Sequence, residues 1–482
     1  MAVVFALVLL VAVGLPMAYA VIREAVVAVV VAPLVGGLQC TAAAIAMVAV
    51  GGPLPLWLLV VTVASWLVAV ALIRRPRAPL PSLGPVDLIV MYGPLLLPAL
   101  LVRRPPVAWD SRSIWWFHAA WVDGGGAAFR DALANPAFAF SHPDYPPFAP
   151  ATVAGAWAVT PGSGLWVAQA VTTVLTLSAV ATLAYIVRHL VPSVSPWIAR
   201  LTALAVALGL WSVAEYGIAG GYVDHLWAAA LAAAVVLLFV GGSVVAPGRR
   251  SSEPDPSVAA GSLALAVVLM AVAALTKNEG LVGVGIVAVL FTVRARRDLR
   301  RAAWVWAPVA AGVAWSVVAR VFGAVSDLSS SPRIGQLRSG DLTPLERVGP
   351  TLSKLGGQVG WVVAGAVVVS LLGAVTLGRR RRSLGLVGIG WPWVLMAVYT
   401  VALVGTYVIS PYDLQWHLLT SIDRVGVLLV LVALATTASW VLVATAPEPD
   451  AADGEDRDAP ARTVDSAPPE PVGPSGGRGG GW

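Results

Sequence analysis

The feature that most limits this chain is a succession of apolar runs, most of them about 20 residues long and one, 280–293, shorter, interspersed with short arginine clusters. About 20 apolar residues let an α-helix cross the ~30 Å hydrocarbon layer of a bilayer. The runs fall at roughly 2–22, 26–50, 54–73, 85–102, 164–187, 197–214, 225–246, 258–276, 280–293, 302–321, 359–377, 385–408 and 425–445. The expected fold is therefore an all-α integral membrane protein of about 13 transmembrane helices with a helical outer loop. Composition agrees: charged residues make up 12%, where a soluble chain carries about 25%. So little charge cannot cover a surface facing water, whereas lipid is a solvent that suits it.

Arginine sets the expected orientation. With thirteen spans, Arg74-Arg75-Arg77, Arg188 with Arg200, Arg249-Arg250, Arg294 to Arg301, and Arg379 to Arg382 all fall on one side. The positive-inside rule makes that side the cytoplasm. The N-terminus is then outside and the C-terminus cytoplasmic, in a multi-pass protein of the cell (plasma) membrane. The Ala18-Tyr19-Ala20 stretch resembles a signal-peptidase site but no basic segment precedes it, so the first span is expected to stay.

The whole-chain charge of +6 divides unevenly: residues 446–482 carry eight acids against three arginines, a net −5, which leaves +11 on residues 1–445. Because the basic residues sit between apolar runs, they read as orientation signals and indicate no nucleic-acid partner. The tail is acidic and rich in Pro and Gly, a composition that favours disorder. The single cysteine, Cys40, lies in an apolar run and permits no disulfide within the chain. The tail 446–482 is thereby set apart from the apolar part of the chain.

Two apolar stretches are too long for one helix. Between Ser257 and Val293 only Lys277 and Glu279 are charged; a single helix would measure about 55 Å, so the chain must fold back at Thr276-Lys277-Asn278-Glu279-Gly280. The same reasoning folds 197–246, with its tip running from Glu215-Tyr216-Gly217 to Asp224-His225. Both tips face outside, as do the segments 103–163, 322–358 and Ser410 to Arg424.

The residues able to do chemistry gather on these outer segments. Asp110, in Trp109-Asp110-Ser111-Arg112, follows a membrane exit and is flanked by tryptophans suited to the headgroup layer. A carboxylate there can take a proton from a hydroxyl, or it can simply cap a helix starting at Ser111. His142-Pro143-Asp144-Tyr145-Pro146-Pro147 is a proline-stiffened turn, able to wall a pocket or merely to shape the loop. Lys277, Asn278 and Glu279 place ions where ions are costly; they either bind phosphate or satisfy one another. His417, Ser421 and Arg424, spaced i, i+4, i+7, share a helix face that suits a phosphate, although snorkelling explains Arg424 equally well. Asp224 and His225 are a shorter signal of the same kind. Neither a metal-ligand spacing nor a nucleotide-binding glycine motif is present.

The order of these landmarks resembles the GT-C superfamily of multispanning glycosyltransferases, in particular a bacterial branch related to the dolichyl-phosphate-mannose and aminoarabinose transferases. The resemblance covers residues 85–445, which divides the apolar part of the chain into N-terminal helices 1–84 and a membrane core 85–445, and it rests on four features. Asp110 opens the first large outer loop and the His142 to Pro147 turn lies near its end. Thr276 to Gly280 forms a midway tip, and Trp416 to Arg424 precedes the last span. It departs in placing Ser111 where some relatives carry a second acid, and His118, Ala119 and Ala120 where some carry a lysine.

What the resemblance implies is an inverting transfer from a polyprenyl-phosphate sugar to a glycan, lipid or protein acceptor outside the cell. Asp110 would be the base. Lys277, His417, Arg424 and Arg112 would hold the donor phosphate. His142, Asp144, Tyr145, Asn278, Glu279, Asp224 and His225 would line the pocket. The resemblance implies no particular cofactor and leaves dependence on a divalent metal open. Two other functions fit part of the pattern. A transporter or flippase would place its polar residues at the midplane, often with paired repeats, which this chain lacks. A lipid-linked polysaccharide polymerase or ligase would rest on an arginine-rich outer loop, such as 322–358 with Arg333, Arg338 and Arg347.

Overall fold

Among the described residues the chain is helical throughout, with no strand. The computed structural model describes residues 1–75, 77–97, 108–160, 162, 164–209, 218–241, 256–326, 331–339, 343–378 and 387–447. The clusters Arg249-Arg250 and Arg379 to Arg382, the tip residues Glu215 to Gly217 and the tail from Glu448 onward lie outside the described residues.

In chain order the helices are α1 (Ala2–Ile22), α2 (Ala25–Val50), α3 (Leu54–Ile73), α4 (Pro85–Asp87), α5 (Trp116–Asp123), α6 (Gly125–Ala134), α7 (Phe148–Trp157) and α8 (Leu165–Arg188). There follow α9 (Pro196–Leu208), α10 (Asp224–Val235), α11 (Pro256–Thr276), α12 (Asn278–Arg294), α13 (Leu299–Val321), α14 (Pro332–Ser339) and α15 (Pro344–Thr376). The series ends with α16 (Trp391–Ile409), α17 (Leu414–Val425) and α18 (Val427–Thr445). Nine helical stretches among the described residues are long and apolar enough to cross a membrane, the last formed by α17 and α18 together. The other apolar segments carry shorter helices: α4 with the π-helical turn Leu88–Tyr92, α9, α12, and α10 continued by Val236–Val240.

Residues 1–446 form one contiguous unit. In lipid, helices associate by close packing and satisfied polar groups. Accordingly α1 and α2 cross at glycines: a Cβ on Gly14 would lie 2.0 Å from the Ala32 carbonyl oxygen, and one on Gly36 2.6 Å from that of Leu10. Helix ends are closed by the residues beside them. The Glu24 carboxylate accepts from the Val27 amide at 2.6 Å at the start of α2. Arg23 donates to the Ile73 carbonyl at 2.9 Å and the Arg75 carbonyl at 3.0 Å, serving carbonyls that the end of α3 leaves without helical partners.

The chain folds back at Lys277, a single extended residue between α11 and α12. Gly280 makes this return tight, since a Cβ there would lie 2.2 Å from the Ala273 carbonyl oxygen. At the far end of the hairpin, Arg294 donates to the carbonyls of Leu238 and Phe239. The start of α10 and the hairpin tip therefore share one end of the bundle, and Arg294 marks the other. Between them the 17 residues Asp224–Val240 span about 25 Å. Asp87 lies at the Arg188 end of α8, 4% exposed and held between Arg188 at 3.0 Å and Arg200 at 2.7 Å.

Candidate functional site

Asp110 sits in the first turn of the helical segment that begins at Trp109, followed by the π-helical turn Ser111–Trp115. Its carboxylate does not cap that turn. It forms an ion pair with Nη1 of Arg424, near the end of α17. Arg424 is itself held in place: Nε and Nη2 donate to the Thr420 carbonyl at 3.1 and 2.7 Å, and the guanidinium lies 5.0 Å from the centre of the Tyr222 ring. Beside Asp110, Ser111 donates to the Gly220 carbonyl. Gly221 has φ +80°, and a Cβ there would meet the Ser111 hydroxyl at 2.9 Å, so the 218–223 turn is drawn onto the loop by a residue that only glycine suits.

Arg424 also faces a second carboxylate, Asp224, at 4.0 Å. Asp224 opens α10 and is fully buried, and its other oxygen accepts from Lys277 Nζ at 2.8 Å. Lys277 is 5% exposed, lies 3.3 Å from the Glu279 carboxylate, and sits 5.7 Å from the centre of the Tyr145 ring. Five charges thus alternate along one chain of contacts: Asp110, Arg424, Asp224, Lys277, Glu279. With three acids and two cations the cluster carries a net −1. Buried ions persist only when paired in this way.

A cavity of ≈110 Å³ adjoins the cluster and is lined by His142, Asp144, Tyr145, Asn278, Glu279, Ser410, Tyr412 and His417, among others. The loop turn is fixed on several sides. Tyr145 stacks between Trp115, with ring centres 5.6 Å apart, and His142 at 4.8 Å. Asn278 donates to the Asp144 carboxylate at 2.8 Å, and Trp315 donates to the Asp144 carbonyl at 3.1 Å. His417 closes the opposite wall, with Nδ1 2.9 Å from the Ser410 hydroxyl and its ring 4.6 Å from that of Tyr407.

The sequence landmarks therefore fall into two neighbouring groups. Asp110, Asp224, Lys277 and Arg424 form the ion cluster; His142, Asp144, Tyr145, Asn278 and His417 line the cavity; Glu279 belongs to both. His225 is 1% exposed, and among the described residues neither ring nitrogen has a hydrogen-bond partner. Arg112 is exposed and makes no ion pair among the described residues. Tyr222 and Tyr407 are additions that spacing did not single out, because an aromatic side chain becomes a cation or imidazole partner only through tertiary contact. His118 is 3% exposed, stacked on Trp121 at 4.0 Å and 3.1 Å from the Ser141 hydroxyl. Burial pushes its pKa down to about 3, helped by nearby His142, so it is a neutral core group. Among the described residues no set of three or more His, Cys, Asp or Glu side chains is arranged to hold a metal ion.

The arrangement offers a partly buried carboxylate, one buried and one partly buried cation, and an aromatic-walled cavity at one end of a helical membrane bundle. No family model, curated protein or solved structure matches the chain.

Proposed function

We propose that this protein is a membrane glycosyltransferase that moves a sugar from a polyprenyl-phosphate donor to a cell-envelope glycan, lipid or protein on the extracytoplasmic face. In this reading the chain crosses the plasma membrane thirteen times, with its N-terminus outside and its C-terminus in the cytoplasm. The carrying observation is the ion pair between Asp110 and Arg424 beside the buried Asp224–Lys277 pair. It joins a partly buried carboxylate and two cations in one contact network, the groups that a proton acceptor and a phosphate site call for. Polar groups concentrated at one end of the bundle, with arginines at the other, support this reading over a transporter, whose site lies near the midplane. Arg347 donates to the Tyr407 and Tyr412 carbonyls at 3.0 and 3.2 Å. This bracing role gives no support to a polymerase built on loop arginines.

The chemistry is a single displacement. The acceptor hydroxyl attacks the anomeric carbon, its proton passes to Asp110, and the bond from that carbon to the phosphate oxygen breaks with inversion. The departing lipid phosphate carries the developing negative charge. Arg424 and Lys277 stabilise that charge in a site with little water, where fixed cations act strongly. Because the resting cluster already carries a net −1, a phosphate must compete with a carboxylate for its cations. Asp110, the more exposed of Arg424's two partners, is the one displaced. Donor binding thereby frees the base.

The purified protein, given a labelled polyprenyl-phosphate sugar and a membrane extract as acceptor source, should form labelled product. Asp110→Asn should lower the rate by about 10²–10⁴-fold. Transfer by that variant at the normal rate would remove Asp110 from the mechanism.

A further inference from the structure

A second cavity, of ≈550 Å³, lies at the other end of the bundle, where the last turn after α10, the first turns of α11 and the end of α12 meet. One wall is apolar, from Leu238 and Phe291, and the rim is cationic, from Arg294, Arg296 and Arg297. Arg294 is fixed by its bonds to the Leu238 and Phe239 carbonyls. Among the described residues the one acid on the rim, Asp298, is paired with Arg301 at 3.1 Å. Arg296 and Arg297 are exposed and make no ion pair among the described residues.

We infer that this cavity binds the phosphate headgroup of an anionic membrane lipid. Three helices end their apolar stretches here, so the rim stands at the depth of lipid headgroups. A wall of Leu238 and Phe291 suits the glycerol and first methylenes of a lipid. The guanidinium groups above it suit a phosphate, which arginine grips in a planar, two-pronged geometry. Basic pockets between membrane helices recognise lipids by this combination. A free phosphate ion would gain nothing from the apolar wall. The bound lipid ties together the feet of α10, α11 and α12, the helices whose opposite ends carry Asp224 and Lys277. Nothing in this inference depends on the transferase reading.

Native mass spectrometry of the full chain, titrated with phosphatidylglycerol, phosphatidylcholine or inorganic phosphate, tests it. The wild type should retain phosphatidylglycerol over phosphatidylcholine. R296Q/R297Q should weaken that retention roughly 25-fold, about fivefold for each arginine removed. Among the described residues these two arginines make no hydrogen bond or ion pair, and Arg294, Arg300 and Arg301 keep the cluster basic in the variant. Ala259→Trp, which fills the cavity without changing charge, should weaken retention as well. Unchanged retention in both variants, equal retention of phosphatidylcholine, or full displacement by millimolar inorganic phosphate would overturn the inference, the last by making the site one for a free ion.

Discussion

Arg424 is ion-paired with Asp110 across 314 positions of sequence. The contact joins the segment that opens at Asp110 to α17, and it leaves Arg424 shared between two carboxylates. Asp110 is exposed enough to be exchanged for another anion, whereas Asp224 is fully buried and held by Lys277. The proposed mechanism uses this inequality, with a fixed acid that positions the cations and a mobile one that reacts.

Asp224 and Lys277 should behave as a coupled pair. Removing either charge alone leaves the other buried without its partner, which costs about 3–5 kcal/mol. D224N and K277M should each lower the thermal midpoint of the detergent-solubilised protein. The double variant D224N/K277M should lose clearly less than the sum of the two. Strict additivity would mean that the two side chains do not interact.

The two ends of the bundle should lie on opposite faces of the membrane. In a Cys40→Ala background, a single cysteine replacing Phe140, 48% exposed on the segment between Asp110 and α7, should react with a membrane-impermeant maleimide added to intact cells. A cysteine replacing Arg296 should react only after the membrane is opened. Labelling of both in intact cells, or the reverse pattern, contradicts the assigned orientation.

Acid should weaken the protein through His118. Its folded pKa is pushed down to about 3 from the ordinary 6.5, so below pH 6.5 the unfolded chain takes up a proton that the folded one refuses. The stability that this group supplies is complete above 6.5 and falls as pH drops towards 3. The slope is about 1.4 kcal/mol per pH unit between those values. His118→Gln, which keeps a polar partner for Ser141, should flatten the thermal midpoint's dependence on pH in that window. An unaltered slope would assign the acid sensitivity to other groups.

Much of this molecule is legible from pattern alone. Apolar run length marks the helices, and the surplus length between Ser257 and Val293 locates the turn at Lys277, because a hairpin is the only way to keep 37 apolar-rich residues within one bilayer thickness. The turn residues His142, Asp144 and Tyr145 and the tip residues Asn278 and Glu279 stand around one cavity with His417, whereas Asp224 and His225, which the resemblance groups with them, are not among its lining residues. Pairing was not legible. Asp110 reads equally well as a helix cap until Arg424 is seen beside it, and the Lys277–Glu279 contact suggested by adjacency is longer than the one Lys277 makes with Asp224. Such partners come from packing between elements far apart in sequence, which periodicity does not encode. The i, i+4, i+7 spacing placed His417 and Arg424 on one helix. It did not show that Arg424 would join the ions while His417 turned to Ser410 and Tyr407.

The exchange of Asp110 for phosphate at Arg424 is the central claim, and it has one direct measurement. Binding of polyprenyl phosphate, without sugar, is compared between the wild type and Asp110→Asn by calorimetry in detergent or nanodiscs. Loss of the competing carboxylate should tighten binding, by about tenfold for a surplus of ~1.4 kcal/mol, in the same variant that fails to transfer sugar. Weaker or unchanged binding by Asp110→Asn would contradict the exchange, and a wild type that binds no polyprenyl phosphate would contradict the transferase reading itself.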